Sequence, residues 1–243
     1  MLQPNQEQRT NLVSILLWVL ALIYVYVLLL SPSGQLLPGE PVWAIKPETI
    51  QEILNESINF FFILPILNLL GFHYIQAPVV HPWQQALFNF AEVWMFMFLP
   101  VILEDKKSCG LPKVLIWSLA MFLTNTFLIP YMALRETHTT IKDQDSNKIN
   151  ISLIKRVFGW IGLIVGAVAI IWCFIRTEFG DINQRIQYFI QHILPERLTI
   201  AFCVDLILFA LIQFILLGSI EPVESNKRWL RFIPFLGLVI WLL

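Results

Sequence analysis

Charge is what this chain has least of: 14% of its 243 residues are Asp, Glu, Lys or Arg, against about 25% in soluble domains. Hydrophobic residues reach 57% and mean hydropathy is +0.70, so the chain has too little polar surface to stay dissolved. A formal net charge of −1 lacks the basic excess that nucleic acid calls for, and a nucleic-acid partner is excluded. Cysteine is scarce as well. Cys109, Cys173 and Cys203 are odd in number and share no C-x-x-C spacing, so neither a disulfide framework nor a thiolate metal site is expected. The four histidines, His73, His81, His138 and His192, fall in loops or at interfaces, which excludes a haem ligated within the membrane. H-E-x-x-H, a histidine box, G-x-S-x-G, the P-loop and the dinucleotide fingerprint are all missing. No catalytic residue, metal or cofactor is assigned, and an enzyme is the least supported class.

What is present is apolar runs of bilayer length. About 20 residues cross the hydrocarbon core at 1.5 Å per residue, and seven runs approach that: about 11–30, 53–72, 86–104, 114–134, 157–175, 198–220 and 229–243. The first is too long for a cleavable signal segment and is expected to be retained. The last is short enough to be tilted or half-inserted. The expected fold class is therefore all-α, a single-domain polytopic bundle of six to seven membrane helices. With seven spans, Lys and Arg divide nine against seven between the two sides, which favours the N-terminus inside. DINQRIQYFIQHIL, about 181–194, places Ile182, Ile186, Phe189, Ile190, Ile193 and Leu194 on one stripe and predicts a helix lying at the membrane surface.

Several polar groups sit where hydrocarbon penalises them. NESINFFFILPILNLLGF, from Asn55 to Phe72, carries Glu56, three asparagines and Pro65. Glu92 and Asp205 fall inside other spans, at an insertion cost of about 2.5–3.5 kcal/mol each. Glu56 with Asn59, and Asn89 with Glu92, are three apart and share a helix face. Asn125 lies mid-span in TNT. Glu56, Asn59, Asn89, Glu92, Asn125 and Asp205 are thus the candidate intramembrane network. It serves either as helix glue, the preferred reading, or as a transport or ligand site led by Glu92 with Asn125 as its partner. Pro65, Pro100 and Pro130 are expected to kink their helices. FNFAEVWMFMFLPVIL and IAFCVDLILFALIQF echo one another with Glu92 over Asp205, the pattern of an inverted repeat. Gly162 and Gly166 stand in G-x-x-x-G spacing and predict close helix packing, within the chain or against a membrane-protein partner.

The segment FNFAEVWMFMFLPVILEDKKSCGLPKVLIWSLAMFLTNTFLIPYMALRE, with NESINFFFILP before it, resembles small polytopic membrane proteins of unknown function from cyanobacteria and chloroplasts. The resemblance lies mainly over residues 55–136. It implies a photosynthetic lineage and a plasma, thylakoid or plastid membrane, and it supplies no activity. The expected role is a non-catalytic component, an assembly factor, scaffold or lipid/pigment binder. The alternative is a small proton-coupled or solute transporter using the intramembrane carboxylates.

Overall fold

A computed structural model describes residues 4–73, 79–137 and 151–243; for 4–9, 52 and 55–58 it describes the backbone alone. The secondary structure is helical, with one isolated bridge, Ser33 to Leu37, and no strand among the described residues. The helices are α1 (Pro4–Val25, continued by a π turn, Tyr26–Leu30), α2 (Pro47–Ile58), α3 (Ile63–Leu69), α4 (Pro82–Glu104) and α5 (Lys113–Leu123). After these come α6 (Asn125–Thr137), α7 (Ile151–Ile175), α8 (Ile182–Tyr188, continued by a π turn, Phe189–Ile193), α9 (Arg197–Ile220) and α10 (Leu236–Leu242). Four stretches are long and apolar enough to cross a membrane: Thr10–Leu30, Pro82–Glu104, Ile151–Ile175 and Arg197–Ile220. They match four of the seven expected spans and support a multi-pass membrane protein.

The other three expected spans are not continuous helices. The run 53–72 is broken at Phe61 and Phe62, both with positive φ (52° and 57°), between α2 and α3. The run 114–134 is broken at Thr124 (φ 36°), between α5 and α6. The run 229–243 is a 3-10 turn, Arg228–Phe232, then a break at Phe235 (φ 58°) and α10. At about 1.5 Å per residue, α10 is only about 10 Å long. Side chains with a Cβ rarely adopt positive φ, so each break needs partners, and each has them. Proline is not the breaker. Pro65 lies in the first turn of α3, where its missing N–H would be unpaired anyway, while Pro100 and Pro130 lie inside α4 and α6.

The chain divides into two compact units: 1–26, 95–160 and 207–243 form the first, and 27–94 and 161–206 form the second. In the first unit α1 packs along α6, with the Ser14 hydroxyl donating to the Ala133 carbonyl (3.0 Å) and the Tyr24 and Thr124 hydroxyls 3.2 Å apart at the α5–α6 break. Its core includes Met95, Met97, Phe98, Leu128, Tyr131 and Phe209. Gln213 of α9 holds the last break, donating to the Ile233 carbonyl (2.8 Å) and accepting from the Phe235 N–H (3.2 Å). Gly237 is required there, because a Cβ would lie 1.9 Å from the Leu230 oxygen. Lys155 then stands 3.5 Å from the centroid of the Trp241 ring and bonds Glu104 (3.1 Å), fastening α10 to the long helices.

In the second unit the buried face of α4 meets Phe62, whose ring packs on Trp172 (5.1 Å between centroids), and Phe88 meets Phe202. Gly162 and Gly166 are both buried within the chain. The segment 181–194 is helical over α8 and its π turn, opened by a capping box between Asp181 and Gln184. Its arginine does not face water. Arg185 is 2% exposed and donates to the carbonyls of Cys173 (2.6 Å) and Phe174 (3.3 Å). Those are unpaired acceptors at the C-terminal end of α7, where a cation also meets the favourable end of the helix dipole.

Candidate functional site

His81 and the first turns of α4 read HPWQQALFNFAEVW, in which His81, Gln85, Asn89 and Glu92 recur at intervals of four, four and three. That spacing puts them on one helical face, and in the second unit all four are buried. Their neighbours differ down the stripe. His81 stacks on Tyr188 (5.3 Å) and meets Phe179 edge-on (5.7 Å), and neither ring nitrogen has a partner. Burial, and then the charge of Arg185, hold its imidazole below the usual histidine range. Gln85 accepts from the Trp172 indole N–H (2.8 Å), while its amide nitrogen is buried without a partner. Asn89 accepts from the Phe62 N–H (3.1 Å) and donates to the Gln85 carbonyl (2.8 Å). Glu92 has one carboxylate oxygen unpartnered, and the charge that acts on it is that of Asp205.

Beside this stripe lies a cavity of about 740 Å³, within the 300–1,000 Å³ typical of ligand pockets. Pro65, Leu69, Val79 and Ile175 line its apolar side; Asn68, His73, Gln85, Trp172, Arg176 and Glu178 supply the polar side. Arg176 pairs with Glu178 and lies over the Trp172 ring, 4.9 Å from its centroid. Asn68 donates to the Phe72 carbonyl (3.1 Å).

The structure gathers part of the expected network. Asn59, Asn89, Glu92 and Asp205 belong to the second unit, Asn125 to the first. Within the second unit the like charge of Asp205 acts on Glu92, a repulsion between two carboxylates. Asn125 is fully buried at the start of α6, next to the Thr124 break. The side chain of Glu56 lies outside the described residues. Asn59 is 1% exposed with both amide atoms unpartnered, and its carbonyl accepts from the Phe62 N–H (3.0 Å). Sequence reading missed His81, Gln85, Trp172 and Arg176. The first two were legible as an extension of the Asn89–Glu92 stripe by two further turns.

A second polar centre, also missed, lies in the first unit. Asp105, just past α4, accepts from Arg135 Nε (2.7 Å) and Nη2 (2.9 Å), from the Tyr131 hydroxyl (2.6 Å) and from the Lys107 N–H (3.3 Å). Arg135 also reaches Ser219 (2.9 Å) and Glu136 (2.9 Å), and Lys113 donates to the Asp105 carbonyl (2.7 Å). Burial pushes the Asp105 carboxyl up, but the bonds and charge of Arg135, with Tyr131 and Lys107, hold it below the usual carboxylate range. A cavity of about 300 Å³ adjoins it, lined by Glu104, Asp105, Lys106, Lys107, Ser219 and Ile220. Both Asp105 oxygens already accept two bonds each, so this centre is a structural clasp rather than a binding site. No protein-family model matches the chain, and no curated protein or solved structure matches it significantly.

Proposed function

We propose that the protein is a non-catalytic membrane component that holds a lipid or pigment in its second unit. The cavity of about 740 Å³ carries this reading: one wall is hydrocarbon, the other offers an amide, a paired guanidinium and an indole. Such a two-sided lining suits an amphiphile better than a solute that must be stripped of water. The same reading counts six or seven membrane crossings, with the broken segments 47–69 and 113–137 completing crossings beside the four long helices. By the resemblance over residues 55–136, the membrane served is a cyanobacterial plasma or thylakoid membrane, or a chloroplast membrane. Purification from a native membrane in mild detergent, followed by mass spectrometry and an absorption spectrum, tests it. A lipid or pigment retained at one per chain is expected, and a protein that emerges empty and colourless overturns the reading.

Two observations favour a second reading, a proton-coupled carrier. Glu92 is buried with a free carboxylate oxygen and acts against Asp205, and the unwound turn at Phe61–Phe62 resembles the discontinuous helices of transporters. That reading requires Glu92→Gln to abolish pH-driven flux in liposomes at normal protein levels. The component reading requires the variant to retain its bound amphiphile.

A further inference from the structure

The lining of the second-unit cavity selects among amphiphiles. Trp172 is donor-only, and its indole N–H points at Gln85 at 2.8 Å. The oxygen of the Gln85 amide therefore faces Trp172, and the NH2 faces the other way. That nitrogen is buried without a partner, on a side chain that is 3% exposed and lines the cavity. The missing group is an acceptor oxygen. The charge of the wall points to a neutral one, because Arg176 is already paired with Glu178 and lies against the Trp172 and Phe179 rings. Height along the span narrows the class further. Gln85 is the fourth residue of a 23-residue helix, so it sits at the boundary between hydrocarbon and headgroups, where the acyl esters of lipids lie.

We infer that the cavity receives the carbonyl end of a neutral amphiphile, with Gln85 donating to that carbonyl and the acyl ester of a neutral glycerolipid as its source. The inference rests on the amphiphile-binding reading above. A membrane quinone presents the same acceptor chemistry and is the other source to be tested. Trp172 is then a positioning residue: it fixes which end of the Gln85 amide the ligand meets.

The test uses the full chain, purified and delipidated in detergent, with three probes: dioctanoylglycerol, its dialkyl ether analogue without carbonyls, and a decyl-substituted benzoquinone. Affinities are read by calorimetry. The diester is expected to bind about tenfold tighter than the diether, as one hydrogen bond to an otherwise orphaned donor provides. Gln85→Leu should lower diester affinity to that of the diether while diether binding stays at the wild-type value, which also shows that the variant is folded. Trp172→Phe, which frees the amide to turn over, should reduce the diester preference without removing it. If the Gln85-dependent gain appears with the quinone instead, the carbonyl assignment stands and the source is the quinone. Equal affinity for all three probes overturns the carbonyl inference and leaves amphiphile binding intact. No binding of any probe overturns both.

Discussion

Asp105→Asn is the sharpest perturbation this structure offers. The Arg135 side chain is 0% exposed and that of Asp105 2%, so the substitution leaves a guanidinium buried with Glu136 as its remaining carboxylate. It also sets an amide N–H2 against Arg135 or the Tyr131 hydroxyl, both donors toward this site. Removing one partner of a buried ion pair costs about 3–5 kcal/mol. Glu136, 14% exposed and 2.9 Å from Arg135, keeps part of the compensation, so the lower end, about 3 kcal/mol, is expected. A solvent-exposed pair would lose about 0–1 kcal/mol, a difference that SDS-titrated unfolding, followed by tryptophan fluorescence, resolves. A combined Asp105→Leu, Tyr131→Phe, Arg135→Met variant should recover most of the loss, since apolar replacement of a buried network is often neutral. The pH dependence has a defined sign. The folded-state carboxyl is held below its ordinary value, so this stabilisation is complete above about pH 4 and is lost as pH falls through the folded-state value. A loss under about 1 kcal/mol for Asp105→Asn, or a triple variant weaker than the single one, would refute the clasp.

Three further predictions address the breaks and the histidine. Gln213→Leu removes both bonds that hold the Phe235 break and should cost about 1–4 kcal/mol by the same unfolding assay, at about 0.6–2 kcal/mol per membrane hydrogen bond; an unchanged midpoint would show that α10 is held by packing alone. Gly237→Ala forces a methyl onto the Leu230 carbonyl and should destabilise by at least the roughly 1–3 kcal/mol of an overpacked site, with faster proteolysis of the last 15 or so residues; wild-type protease resistance counts against it. Burial and then the charge of Arg185 hold His81 below the usual histidine range, so below about pH 6.5 the unfolded chain binds more protons and stability falls with acid, by at most about 1.4 kcal/mol per pH unit. His81→Phe should remove that slope between pH 7 and 5; a slope that survives the substitution assigns it to another group.

How much of this was legible depends on the length of the regular structure. Runs such as ILLWVLALIYVYVLLL and GLIVGAVAIIWCFI announce a span by composition alone, and those helices are present. The broken spans also read as apolar runs near crossing length, so composition alone does not show where they unwind. Their local signal is weak, an Asn before FFF in one and TNT in the other. The side chains that make the breaks tolerable come from elsewhere in the chain: Asn89 for Phe62, Tyr24 for Thr124, Gln213 for Phe235. Asp105 and Arg135 were hidden for the same reason, being 30 residues apart and each reading as an ordinary interfacial charge.

These pairings change what an amide inside a membrane helix means here. Intramembrane polar residues carry a prior for function, and Asn89 and Gln213 would be read that way from sequence. Each instead serves an N–H at an unwound neighbour, Asn89 sharing the Phe62 N–H with the Asn59 carbonyl and Gln213 accepting from the Phe235 N–H, where hydrocarbon offers no partner. The side-chain amides of Gln85 and Asn59 are not used in this way, and of the two Gln85 lines the cavity. Gln85 lies one turn before Asn89 on the same face, it is as deeply buried, and only half of it is occupied, by Trp172. A side chain kept in that state has no structural account among the described contacts, and it lines the cavity. The same logic separates Glu92 from Asp105. Both are buried carboxylates, but Asp105 is saturated by donors and Glu92 is not, so function is to be sought along α4 in the second unit rather than at the clasp in the first.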